Sequence, residues 1–113
     1  LGLDGIIVSN HGGRQLDAGQ SSIKPLGAIA QKYSGQIKVM MDSGVRSGPD
    51  IARALASGAG FAFLGRSFMY GVAALGEEGG SHTVSILKTQ LKQVMEQVCC
   101  ARVADFPKHL VIL

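Results

Sequence analysis

The chain has 113 residues, of which 46% are hydrophobic and 17% are charged, and this composition is typical of one globular domain rather than a disordered chain. Its formal net charge is +3, but the basic residues are scattered and only 5% of residues are aromatic, which argues against a nucleic-acid-binding protein. No apolar stretch approaches the roughly 20 residues that cross a membrane, and the start does not resemble a signal peptide.

Strands and helices alternate along the sequence, and one further helix ends the pattern. The pattern predicts strands over residues 5–9, 38–42 and 61–65, and helices over residues 22–34, 47–57, 67–75 and 82–100. The strands are short apolar runs, and the second helix begins at a capping motif, Ser47 to Asp50, and ends before Gly58. The last helix carries an apolar stripe that lasts too few heptads for a coiled coil, so we expect it to pack on the protein body: Val84, Leu87, Leu91, Val94 and Val98.

The order β-α-β-α-β-α with nearly continuous apolar strands predicts an α/β fold with a parallel sheet. Each predicted strand is followed by glycine and polar residues, and ligands bind at the carboxyl ends of strands in such folds. Three strands cannot close a barrel, and a three-stranded parallel layer leaves one face bare. We therefore expect this chain to be a piece of a larger protein.

The segment after the first predicted strand, VSNHGGRQLD, places His11 and Arg14 three residues apart. Imidazole readily gains and loses a proton near neutral pH, and guanidinium binds a carboxylate through two parallel hydrogen bonds. Gly12 and Gly13 would leave room for a planar group to approach. The alternative interpretations are a loop histidine and an arginine in a surface salt bridge.

The loops after the second and third strands have the composition of an anion site. Gly44 and Arg46 follow one strand, Gly65 and Arg66 follow the next, and each loop leads into a helix. Backbone N–H groups at a helix N-terminus, together with an arginine, favour phosphate. The alternative is that these glycines only serve turns.

The segments SNHGGRQLD, DSGVRSGPDIARALASGA and LGR closely resemble the FMN-dependent 2-hydroxy acid dehydrogenase and oxidase family, which includes L-lactate dehydrogenase, glycolate oxidase and mandelate dehydrogenase. The resemblance covers roughly residues 2–100. It implies that residues 1–113 are the C-terminal part of a TIM (β/α)8 barrel, with about three βα units and a C-terminal helix. It also implies FMN-dependent oxidation of an L-2-hydroxy acid, with L-lactate as the default substrate, to the 2-oxo acid.

The resemblance assigns roles to single residues. His11 corresponds to the base that removes a proton from the substrate, from its carbon or from its hydroxyl group, and Arg14 to the group that binds the substrate carboxylate. Ser9 corresponds to a residue beside the flavin. The other matches form the segment that binds the ribityl phosphate of FMN: Asp42, Ser43, Gly44, Val45, Arg46, Gly65 and Arg66. Ser43 stands where many members have glycine.

Several groups of the family have no counterpart in this sequence. The tyrosines that contact substrate, the lysine beside the flavin and the aspartate that orients the histidine come from earlier strands, and Asp17 is better interpreted as a loop carboxylate. Two alternatives follow. One is a non-catalytic phosphate- or FMN-binding half-barrel, which would leave His11 idle. The other is a different FMN barrel enzyme, such as an isomerase, which would not need His11 and Arg14 at this spacing.

The expected partners are a small 2-hydroxy acid, the remainder of the barrel and, at full length, other copies in a homo-oligomer such as a tetramer. The electron acceptor stays open between oxygen, quinone and cytochrome. Cys99 and Cys100 are adjacent, which disfavours an intrachain disulfide and a metal site. That fits a reducing, cytoplasmic compartment, with peripheral attachment at the inner membrane as the alternative.

Overall fold

A computed structural model describes residues 2–111 and shows an α/β fold whose three strands are all parallel. The strands are β1 (Gly5–Val8), β2 (Lys38–Met41) and β3 (Phe61–Ala62), and the helices are α1 (Ile23–Tyr33), α2 (Gly48–Ala56), α3 (Arg66–Leu75) and α4 (Gly79–Gln97). The predicted alternation is confirmed. Three 3-10 segments were not predicted: His11–Arg14, Gly76–Glu78 and Val103–His109. None of the helices within residues 2–111 has the length and apolar character needed to cross a membrane.

The sheet has the order β1-β2-β3, so each strand lies beside the next one along the chain. Val8 lies opposite Met41, and Met40 lies opposite Phe61. The third strand is shorter than predicted because only two of its residues pair with β2. Beyond them, the Phe63 N–H still donates to the Met41 carbonyl oxygen at 2.8 Å, so the chain continues beside β2 towards the next loop.

The main core lies between one face of the sheet and helices α1 and α2. Leu26, which is completely buried, packs there with residues from all three parts: Val8, Ala30, Val39, Met41, Val45, Ala54 and Ala59. Successive strand side chains point to opposite faces. The other face of the sheet accordingly exposes Ile7 (47%), Phe61 (56%) and Phe63 (41%). The helices therefore cover only one side of the sheet.

Helix α4 packs against α2 and α3 and buries only the middle of its predicted stripe. Leu87 is buried and Leu91 is half-buried, whereas Val84 and Val98 at the ends of the stripe are 42% and 40% exposed. A second small core joins the end of α4 to α2 through Ala52, Cys100 and Phe106.

The ends of α4 differ from the prediction for tertiary reasons. The helix begins three residues early because Gly79 is buried against Gly71, where an added Cβ would lie 2.2 Å from the Gly71 carbonyl oxygen. It ends early because Cys99 has a φ of 54°, and the Cys100 N–H turns back to the Met95 carbonyl oxygen at 2.8 Å. A glycine at this position would have indicated the end of the helix in the sequence, but a cysteine does not. Both cysteines are free thiols.

The contact between α3 and α4 predicts opposite effects for two adjacent glycines. Gly79→Ala should lower the free energy of unfolding by about 1–3 kcal/mol, because its methyl group has no space beside the Gly71 backbone. Gly80→Ala is the matched control, since a Cβ there meets nothing within 4 Å, and it should raise stability by up to about 1 kcal/mol through helix propensity. Denaturant unfolding of both variants measures the difference; equal stabilities would contradict this account of the helix start.

Candidate functional site

The carboxyl ends of the three strands lie at one edge of the sheet, and the loops after them enclose a cavity of about 580 Å³. Most of its lining comes from residues within 10–14 after β1, 42–45 after β2 and 63–66 after β3, and Ser21, Ser22 and Met69 complete it. The structure thus brings together all the predicted site residues except Ser9 and Arg46, which do not line the cavity.

His11 and Arg14 occupy the two ends of one 3-10 turn, and both are exposed. Because such a turn has three residues per turn, side chains three positions apart lie on the same side of it. The Gly13 N–H closes the turn on the Asn10 carbonyl oxygen at 3.1 Å, and the His11 N–H donates to Ser9 Oγ at 3.1 Å. One small ligand can therefore reach both the imidazole and the guanidinium.

The two glycines in this turn have different surroundings. A Cβ at Gly13 would lie 2.5 Å from Asn10 Oδ1, so a larger residue there requires the Asn10 side chain to move. A Cβ at Gly12 would meet nothing within 4 Å. Gly13 lines the cavity and Gly12 does not, so the open space at Gly12 lies outside the site, although the sequence pattern gives both glycines the same role.

The loops after β2 and β3 present free backbone donors. Within residues 2–111, no protein group accepts the N–H of Gly44, Val45, Gly65 or Arg66. Helix α3 begins at Arg66 without a side-chain cap and without an acidic residue in its first turn, so the positive end of its dipole is uncompensated. A Cβ at Gly44 or Gly65 would meet nothing within 4 Å, which leaves room for a bound group. These donors, here named the anion cradle, suit a phosphate.

The N-terminus of α2, in contrast, is already satisfied by protein groups. Asp50 Oδ2 accepts hydrogen bonds from the N–H of Arg46 at 3.2 Å and of Ser47 at 3.1 Å. Gln90 Oε1 accepts from the Gly48 N–H at 2.8 Å. The sequence pattern predicts an anion site at the start of both helices, but of the two only α3 offers unoccupied donors within residues 2–111.

Asp50 is held ionised by its surroundings. Burial raises the pKa of its carboxyl group, but hydrogen bonds from the Ser47 hydroxyl and the Arg46 N–H, with the nearby Arg53 guanidinium, together bring the pKa below its ordinary value of 3.8. Because the pKa of Asp50 is lower in the folded protein than in the unfolded chain, its carboxylate stabilises the fold fully above pH 3.8. This stabilisation is lost as the pH falls through the pKa of the folded state. The carboxylate thus neutralises the start of α2 at neutral pH.

Two serine hydroxyls fix the backbone of these loops. Ser22, which is only 2% exposed, donates to the Asp42 carbonyl oxygen at 2.7 Å and so attaches the end of β2 to the start of α1. Ser67, in the first turn of α3, donates to the Arg46 carbonyl oxygen at 2.9 Å. The two loops of the anion cradle are therefore linked to each other.

Ser43, in the loop after β2, has an unusual backbone. Its φ is 73°, a left-handed conformation that costs an ordinary residue roughly 1–2 kcal/mol. Its hydroxyl donates to Asp42 Oδ1 at 2.8 Å and accepts from the Asn10 N–H at 3.0 Å. The residue thereby joins the loop after β2 to the loop after β1.

Three arginines give the site its positive charge. Arg14 and Arg66 line the cavity, and Arg46 lies next to it in sequence. All three are exposed, and in the part of the chain that the structure describes none forms an ion pair with a carboxylate. Their charge is available to an anionic ligand.

Several residues that line the cavity are not among the site residues predicted from the sequence. Asn10 and Ser22 are adjacent to predicted elements, and polar residues at the strand and helix ends were a signal that could have identified them. Phe63 and Met69, 41% and 68% exposed, were assigned to elements on hydrophobicity alone. Strand alternation could have placed Phe63 on the uncovered face, but nothing in the sequence distinguishes Met69 from a core residue.

Comparison with known proteins identifies the family of this chain. The family model for FMN-dependent dehydrogenases matches residues 1–113. The chain is 43% identical to the L-lactate dehydrogenase of Alcaligenes faecalis over 112 aligned residues. The alignment covers 99% of this chain and 30% of that relative. The chain therefore spans less than one third of that protein's length.

Solved structures give the same result. A structure of mandelate oxidase with 3,3-difluoro-2-hydroxy-3-phenylpropionic acid superposes with a TM-score of 0.88 at 38% identity, over 95% of this chain and 32% of that one. A mandelate oxidase variant with a monooxide FMN adduct gives a TM-score of 0.87 at 39% identity, over 93% and 33% of the two chains. The chain belongs to the FMN-dependent dehydrogenase family.

Proposed function

We propose that this chain is the C-terminal part of a (β/α)8-barrel enzyme that uses FMN to oxidise an L-2-hydroxy acid to the 2-oxo acid. The observation that carries the proposal is the composition of one cavity. It joins the His11–Arg14 turn after β1 to the anion cradle after β2 and β3. Lactate and mandelate, after which the similar proteins are named, are both 2-hydroxy acids, and L-lactate is the substrate we propose.

Arg14 and His11 divide the work on the substrate. The guanidinium of Arg14 binds the carboxylate and fixes the orientation of the small acid. The imidazole of His11, on the same side of the turn, then lies within reach of the neighbouring carbon and its hydroxyl group, from one of which it removes a proton. Both side chains are exposed, so the substrate can enter without displacing core residues.

The anion cradle fits the phosphate of FMN. The backbone N–H groups of Gly44, Val45, Gly65 and Arg66 are unoccupied donors, and Arg66 adds a charge at the same edge of the cavity. FMN, when bound, supplies the flavin that accepts two electrons from the substrate. The open space at Gly44 and Gly65 allows the phosphate to approach the backbone closely.

The uncovered face of the sheet supports the proposal that the complete protein is a barrel. Ile7, Phe61 and Phe63 form an apolar surface opposite the helices, as expected for side chains that fill the interior of a closed barrel. We propose that further βα units cover this face, and that the complete protein is a cytoplasmic homo-oligomer. Cys99 is an exposed free thiol, which suits a reducing compartment.

Replacement of His11 tests the proposed base. In the FMN-loaded holoenzyme that contains this chain, His11→Asn should leave FMN bound but slow flavin reduction by about 10²–10⁴-fold, because the proton acceptor is lost. Anaerobic stopped-flow absorbance of the flavin with L-lactate gives the rate. His82→Asn, on α4 and outside the cavity, is the matched control. Reduction of the His11 variant at the control's rate would disprove the assignment.

Replacement of Arg14 tests the carboxylate contact. Arg14→Lys keeps the charge but loses the planar fork, so binding of a carboxylate inhibitor should weaken by roughly tenfold or more and flavin reduction should slow. The comparison variant is Arg53→Lys, whose side chain pairs with Asp50 away from the cavity. If oxalate titration and reduction kinetics match between the two variants, Arg14 does not contact the substrate.

Residues 1–113 expressed alone distinguish the enzyme from the binding-module alternative. One face of the sheet is apolar and uncovered, so the isolated segment should be poorly folded or associated and should not oxidise lactate, glycolate or mandelate. Size-exclusion chromatography, FMN fluorescence titration and an assay with an artificial acceptor measure these properties. Tight FMN binding by a folded, inactive segment would favour the binding module, and robust turnover would refute the proposal that the chain is part of a larger barrel.

A further inference from the structure

The hydroxyl group of Ser43 connects two loops of the site. Its oxygen accepts a hydrogen bond from the Asn10 N–H at 3.0 Å, and its proton is donated to Asp42 Oδ1 at 2.8 Å. Asn10 immediately precedes the turn that carries His11 and Arg14. Nothing in the sequence indicates this connection, because the two residues are 33 positions apart.

We propose that Ser43 is a positioning residue for the His11–Arg14 turn. Its hydroxyl attaches the turn to the end of β2, and this attachment holds the imidazole and the guanidinium towards the substrate. This role rests on the function proposed above. It is separate from the assignment of Ser43 to the FMN phosphate segment, because it concerns the β1 loop and the substrate.

The connection matters because the turn has few other attachments. Its remaining hydrogen bonds are local: the His11 N–H donates to Ser9 Oγ, and the backbone bonds of the turn join residues within 10–19. In the part of the chain that the structure describes, the Asn10–Ser43 bond is the one hydrogen bond between residues 9–16 and a more distant segment. The β1–β2 ladder ends just before it, with the Asp42 N–H on the Val8 carbonyl oxygen at 3.1 Å.

The group to which the turn is attached is itself fixed. The buried Ser22 hydroxyl holds the Asp42 carbonyl oxygen at 2.7 Å, so the backbone that carries the carboxylate is attached to α1 as well as to β1. The Ser43 hydroxyl donates its proton to the Asp42 carboxylate, so its oxygen keeps a lone pair that accepts from the Asn10 N–H. Hydrogen bonds in such a chain polarise and strengthen one another, most of all when the last acceptor is charged.

Because Ser43 has a left-handed backbone, two substitutions can distinguish the positioning role of its hydroxyl from an effect of its backbone on stability. Glycine adopts a φ of 73° more readily than serine, so Ser43→Gly relieves the backbone while removing the hydroxyl. Ser43→Ala keeps the unfavourable backbone and also removes the hydroxyl. If the hydroxyl positions the turn, the two variants should behave alike at the site although they differ in stability.

The test compares wild type, Ser43→Gly, Ser43→Ala and Ser85→Ala, an exposed control on α4, in the holoenzyme that contains this chain. Hydrogen–deuterium exchange of the peptide covering residues 10–14 should become roughly three- to tenfold faster in both Ser43 variants and unchanged in the control. Oxalate affinity and flavin reduction by L-lactate should each fall by about tenfold or more in both variants, because small displacements of reacting groups slow the reaction strongly.

Two results would overturn the proposal. One is unchanged exchange of residues 10–14 in both Ser43 variants. The other is a Ser43→Gly enzyme that binds oxalate and reduces flavin like the wild type while Ser43→Ala does not, which would assign the effect to the backbone rather than the hydroxyl. If the wild-type protein itself shows no reduction with any 2-hydroxy acid, the proposed function fails, and the exchange measurement still decides whether the Ser43 hydroxyl holds the turn.

Discussion

The parallel pairing of β1 with β2, with Val8 opposite Met41, determines where the groups of the candidate site lie. Because both strands run in the same direction and end at the same level, the segments after them emerge side by side. The pairing of β2 with β3 adds the third loop to the same edge. Residues far apart in the sequence therefore line one cavity, and hydrogen bonds between the loops become possible. Without this register, the His11–Arg14 turn and the anion cradle would be unrelated surface features.

The two helices that follow β2 and β3 show how similar local sequences acquire different roles. Both helices follow a loop that contains glycine and arginine. Asp50 satisfies the start of α2 internally, and its carboxylate compensates the helix dipole. Helix α3 has no such carboxylate, so the same physical property, a set of unpaired N–H donors, remains available to a ligand. One N-terminus is satisfied within the protein, and the other keeps free donors, where we propose that the phosphate of FMN binds.

The one-sided core leaves the site open on the face of the sheet away from the helices. Helices α1 and α2 cover one face of the sheet, while aromatic side chains such as Phe63 remain exposed on the other. Phe63 also lines the cavity, so the uncovered face and the site are continuous. Groups that cover this face in a closed barrel would also exclude water from the region beside His11, where proton transfer is proposed. In the proposed barrel, the units that cover this face would therefore also complete the site.

The sequence by itself determined the alternation of strands and helices, the capping of α2 at Ser47 and the cluster of His11, Arg14 and glycine loops, because periodicity, caps and turns depend on neighbouring residues. Only the tertiary structure decided that α4 begins at Gly79, since that start depends on contact with another helix. It also decided which helix N-terminus stays open, and that Ser43 reaches Asn10. These features depend on which distant groups occupy the space around a residue, and local sequence patterns do not contain that information.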